Sequence, residues 1–139
     1  MIRLIAATLG LAGPTPLERP PQINVVIHVQ NPAAVDQAVT DLADHLHMQM
    51  TISGEGIVIP IGAHGYQVYN DRITFFILPA PVQTCSYDEV YDMRTFSVSI
   101  VAVQPEGEQE LPQAASELRN IVSAIGGSVS EGATCTAPR

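Results

Sequence analysis

The chain has 139 residues, of which 46% are hydrophobic and only 14% charged, and its net charge is −8. That length suits one domain with a core of its own. The six basic residues are all arginines, scattered from Arg3 to Arg139 without forming a stripe, which argues against nucleic-acid binding and against attraction to an anionic membrane. Charge this far below the usual ~25% leaves a thinly charged surface, as in an exported or virion-borne chain or one covered by partners.

The first segment, Met1–Gly13 (MIRLIAATLGLAG), joins a basic residue to an apolar run and small residues. Two readings fit it: a short secretory signal, or a packed strand or short helix. A cut after Ala12 meets the small-residue rule but leaves a very short signal. Either way the run falls short of the ~20 apolar residues that cross a bilayer. Pro14–Pro21 (PTPLERPP) reads as an extended linker, because proline fixes its own φ and restricts the residue before it. The chain thus divides into residues 1–21, an apolar segment with a proline-rich linker, and residues 22–139, a single α+β domain.

Two related stretches organise that domain. VVIHVQNP (Val25–Pro32) and SVSIVAVQP (Ser97–Pro105) each end an apolar strand in Val-Gln, meet a proline and lead into an amphipathic helix. In Ile23–Gln30, Ile23, Val25, Ile27 and Val29 alternate with Asn24, Val26, His28 and Gln30, the period of a strand with one fully apolar face. Asn31 is a suitable N-cap, and Pro32 suits a first helical position. Val35, Val39, Leu42 and Leu46 recur at helical spacing, with Asp36, Asp41 and Asp44 off the stripe, so a helix is expected to about Met48. Strands Gln49–Ser53 and Ile57–Ile61 flank the turn signal Gly54-Glu55-Gly56, and Gly62–Gly65 makes the next break. Tyr66–Tyr69 and Arg72–Leu78 flank Asn70-Asp71, a two-residue hairpin candidate.

Pro79 and Pro81 end that run, and Val82–Met93 reads as a loop. Thr95–Val103 is a strand with Phe96, Val98, Ile100 and Ala102 on one face. Glu106–Glu110 reads as a solvated acidic turn. Leu118, Ile121, Val122 and Ile125 form the second helical stripe, with Pro112 near its start and Gly126-Gly127 as a left-handed stop. Ser128–Thr136 makes a weak last strand. The order β-α-β-β-β-β-α-β defines a two-layer ferredoxin-like sandwich with extra strands: a mainly antiparallel sheet with both helices on one face. The other face is then half apolar, through Val26, Phe76, Leu78, Val101 and Val103, and these are the expected interface residues.

No motif points to catalysis, a cofactor or a metal. His45 and His47 stand two apart on a helix and face different directions. His28 and His64 are isolated in sequence. Cys85 lacks the neighbours of a nucleophile. Asp88, Glu89 and Asp92 lack the alternation of a calcium loop, and Gly54, Gly56, Gly62 and Gly65 precede no helix, as a phosphate cradle requires. Cys85 and Cys135 match no zinc or redox spacing. They form a disulfide in an oxidising compartment or remain two unrelated thiols in a reducing one. Tyr66, Tyr69, Tyr87 and Tyr91 are expected near one end of the sheet, where they would line an interface.

The C-terminal third, strand TFSVSIVAV, acidic turn, helix QAASELRNIVSAIGG and a short last strand, resembles the small ring-forming tail-terminator or head–tail connector proteins of bacteriophages. The resemblance is one of pattern, and the N-terminal half departs from it. It implies a sheet with helices on one face, ring assembly and no catalysis, and it assigns no functional residue.

Two classes of function follow. The first is a non-enzymatic, homo-oligomeric structural or assembly subunit, such as a virion tail or connector component, whose partners are itself and other structural proteins. Its location would be a virion or the cytoplasm. The second is an exported binding or inhibitor domain carrying a Cys85–Cys135 disulfide, periplasmic or secreted if the first segment is a cleaved signal.

Overall fold

The computed structural model describes residues 20–54, 64–82 and 90–131. The N-terminal apolar segment, most of the linker, the expected strand Ile57–Ile61 and both cysteines lie outside those residues. The elements are β1 (Gln22–His28), α1 (Val35–Leu46), β2 (Gln49–Ser53), β3 (Gly65–Tyr69), β4 (Ile73–Pro79), β5 (Thr95–Ala102), α2 (Leu111–Ala124) and β6 (Ser128–Ser130). With the expected strand Ile57–Ile61 left aside, they follow the elements read from the sequence in order.

The six strands form one open sheet in the order β2-β3-β4-β5-β1-β6, with every neighbouring pair antiparallel. β5 and β6 run in the same direction on either side of β1, so β5-α2-β6 is a split β-α-β unit, the hallmark of a ferredoxin-like sheet. The extra strands sit in the meander β2-β3-β4-β5. α1 carries the chain from β1 to the far edge of the sheet.

Register decides which side chains meet the helices. Val25 pairs with Val98 and Ile27 with Phe96; Phe75 pairs with Ile100 and Ile77 with Val98. Val68 pairs with Phe75 and Tyr66 with Ile77. These residues share one face and form one buried cluster with Val35, Val39, Leu42 and Ala43 of α1 and Leu111, Ala114, Ala115, Leu118 and Val122 of α2. Leu46, Ile121 and Ile125 pack partly buried against it. The helical and period-two stripes therefore meet as their spacing predicts, and both helices occupy one side of the sheet.

Local chemistry explains where the boundaries differ. Asn31 does cap, accepting from the Ala33 N–H at 3.1 Å, but the turn it opens is a 3-10 helix, Pro32–Ala34, before α1 begins at Val35. α1 stops at Leu46 because His47 is left-handed, at φ 56. The acidic turn is likewise a 3-10 helix, Pro105–Glu110. In the β3–β4 hairpin the two turn residues are Asp71-Arg72, one position later than expected. The Asn70 side-chain oxygen accepts from the N–H groups of Arg72 and Ile73 at 2.8 and 2.9 Å, a side-chain-closed turn that moves the reversal along by one residue. Gly65 belongs to β3, paired with Ser53, rather than to a break. Gly126 provides the stop after α2, at φ 77.

The helices are also clipped together: His45 Nε2 lies 2.9 Å from Glu117 Oε2. The sequence places His45 at the solvated end of a helix, and the pairing of α1 beside α2 gives it this partner.

Candidate functional site

The face of the sheet away from the helices carries the expected interface residues in ordered rows. Leu78 and Val26 lie on either side of Ser97, and Ser130 follows Val26 in the same row. In the next row Gln67, Phe76, Ser99 and Asn24 stand abreast. Beyond it are Tyr69, Thr74, Val101 and Gln22. Phe76 is 42% exposed, and Val26, Leu78 and Val101 are half-buried. Val103, 50% exposed, lies just past the end of β5. Both helices pack on the opposite side, so among the described residues no helix covers this face.

The polar residues of the face bond to one another. Ser99 Oγ donates to Asn24 Oδ1 at 2.8 Å, and the Tyr69 hydroxyl to Gln49 Oε1 at 3.2 Å. One row beyond Leu78, Ser97 and Val26, where Thr95 pairs with His28, the buried Thr95 hydroxyl donates to Asp92 Oδ2 and sits 3.3 Å from His28 Nδ1. None of the six strands contains an Asp, Glu, Lys or Arg. The chain has a net charge of −8, and among the described residues the charged side chains lie in helices and connections. Solvent-facing sheets and edges ordinarily carry charge that discourages association, and this one carries none. Edge strand β2 follows the same rule and leaves Ile52 49% exposed.

Of the tyrosines expected together, Tyr87 lies outside the described residues, and Tyr66 and Tyr69 are separated by the sheet. Tyr66 and Tyr69 stand three apart on one strand, an odd interval, so they point to opposite faces. Tyr66 goes to the helix side, where it helps to line a cavity of about 250 Å³ with Pro32, Ala33, Asp36, His64, Pro79, Met93 and Phe96. The Tyr66 hydroxyl donates to Asp36 Oδ1 in the first turn of α1. Burial, and then the bond to Asp36, push the phenol's pKa well above its ordinary value. The His64 ring stacks near Tyr66, with centroids 6.5 Å apart and planes 25° from parallel. The sequence holds only an indirect signal of this cavity: Asp36 lies off the apolar stripe, and its partner is thirty residues away.

Cys85 and Cys135 lie outside the described residues. Among the described residues no group of three His, Cys, Asp or Glu side chains is placed to hold a metal ion, and no helix is long and apolar enough to cross a membrane. Neither a family model nor a curated protein matches the chain.

Proposed function

We propose that this chain is a non-catalytic, homo-oligomeric assembly subunit that associates through the helix-free face of its sheet. The observation that carries the reading is the absence of charge from all six strands, one face of which meets solvent with Phe76, Val26, Leu78 and Val101. Burying that face would desolvate no ion, and its apolar groups would contribute ~25 cal/mol per Å². Strands ~4.8 Å apart and ~3.3 Å per residue give the sheet a projected face on the order of 500 Å². That is the same order as the ~800 Å² each partner contributes to a standard interface. Serines and amides between the apolar residues supply the hydrogen bonds an interface of this kind uses. A ring-forming role in a virion tail or connector is the form of assembly that the C-terminal pattern suggests.

Light scattering on the full chain at micromolar concentration tests the proposal. A defined oligomer is expected, with Phe76→Ser and Val101→Ser each shifting the mass toward monomer. A stable monomer whose mass and solubility are untouched by either substitution refutes it and favours the exported binding domain.

A further inference from the structure

The cavity beneath Tyr66 lies on the helix side of the sheet, away from the face assigned to association. Among the described residues that line it, the acidic side chain is Asp36, whose carboxylate is held at the rim by the Tyr66 hydroxyl. Asp36 is exposed, whereas Tyr66 and Phe96, which form the inner wall, are 5% and 6% exposed. Pro32, Ala33, Pro79 and Met93 add hydrocarbon to the lining, and the exposed His64 ring, stacked near Tyr66, also lines it. A carboxylate at the mouth of an aromatic and aliphatic recess is complementary to a cation on an apolar stem. The charge pairs with the carboxylate, ring faces attract the cation, and the stem occupies the apolar wall.

Size narrows the class. At about 250 Å³ the cavity is below the ~300–1,000 Å³ of sites for drug-sized ligands, which suits one side-chain-sized group. The sign of the ligand is fixed by two observations. Asp36 already places negative charge at the amino end of α1, where an anion would otherwise bind. The chain's net charge of −8 also draws cations and repels anions.

We propose that this cavity binds an alkyl guanidinium or alkyl ammonium group, carried by a free small cation or by the arginine or lysine side chain of a partner protein. Asp36 pairs with the cation, Tyr66 positions the Asp36 carboxylate, and Met93 and Phe96 receive the stem.

Titration of the full chain, isotope-labelled at the methionine methyls, with butylguanidinium tests this directly. A saturable shift of the Met93 signal is expected, and Asp36→Asn weakens binding by about tenfold or more, as removal of a charge-assisted pair should. Butyrate, of the same length and opposite charge, provides the comparison on the unaltered protein and should leave Met93 unmoved. Tighter binding of N-acetyl-argininamide than of butylguanidinium supports the site with a partner's side chain as its source; the reverse order supports it with a free cation. No Met93 shift with butylguanidinium, equal binding by Asp36→Asn, or a butyrate response as large as the cation's overturns the proposal.

Discussion

Replacing Leu118 with alanine tests the central packing claim, that α2 lies on the sheet through this side chain. Leu118 is 3% exposed and adjoins Ile27, Val29, Leu42 and Ile77 around a gap of only about 20 Å³. The substitution deletes three buried carbons, ~2.4 kcal/mol at ~0.8 kcal/mol each. Strand residues cannot follow the lost side chain without breaking register with β5, so part of the space remains. About 50 Å³ left open would add ~1.2 kcal/mol at ~24 cal/mol per Å³. The total, ~3.6 kcal/mol, lies within the ~2–5 kcal/mol of buried leucine truncations. With a urea m-value of ~2 kcal/mol/M, the unfolding midpoint falls by ~1.5–2 M. Both proteins must be compared at equal concentration, since association stabilises the folded chain. Ser123→Ala, exposed on the same helix, is the control and should stay within ~0.5 kcal/mol. A Leu118→Ala midpoint within ~0.25 M of the parent, the same size as a surface change, refutes the assignment.

Gly107→Ala tests how the 3-10 helix after β5 docks. A Cβ there would lie against the Arg72 carbonyl, 2.9 Å from its carbon and from Ile73 Cγ2, so a loss of ~1–3 kcal/mol or more is expected in chemical unfolding. Tyr66→Phe should change the alkaline limb of stability. Because the folded phenol's pKa is raised above its ordinary value of 10.0, its contribution is complete below pH ~10 and is lost as pH rises beyond it. The variant's stability should therefore decline less steeply than the parent's above pH ~10, and identical profiles would contradict the buried phenol. A double-mutant cycle on His45 and Glu117 should give a coupling of no more than ~1 kcal/mol, reduced by salt, since His45 is 64% exposed.

What the sequence made readable was whatever its periodicity encodes. The alternation in Ile23–Gln30 and Thr95–Val103, and the stripes through Val35–Leu46 and Leu118–Ile125, specify burial on one face each. Opposing one another is the only arrangement that buries all four. Local capping was half readable: Asn31 caps as its type predicts, but whether the next turn is 3-10 or α depends on how it packs. The hairpin shifted by one residue because Asn70 closes the turn with its side chain, and the composition Asn-Asp does not say which residue will be the closer. The cavity was out of reach for a different reason. Asp36 and the neighbouring pair His64 and Tyr66 come from segments far apart in sequence, and only the seating of α1 on the sheet brings them into one place. His45 found Glu117 by the same route.

The two sides of the sheet differ in what a substitution there should change, if the proposed association holds. On the helix side, buried apolar residues from six elements meet in one cluster, and substitutions there should register in unfolding. On the other side, Val26, Leu78 and Phe76 alternate with Ser97 and Ser99. Exposed positions of that kind contribute little to the isolated chain's fold, and surface changes usually stay within ~0.5 kcal/mol. Selection for folding alone leaves such positions free to become charged, and charge there would favour a dispersed monomer. On the core side burial accounts for the lack of charge; on the other side the proposed association would account for it. The consequence is measurable as a dissociation of effects: Phe76→Ser should alter mass by light scattering while leaving the dilute monomer's unfolding midpoint nearly unchanged, whereas Leu118→Ala should do the reverse. If both variants moved only the unfolding midpoint, the uncharged face would belong to the core's economy and the assembly reading would lose its support.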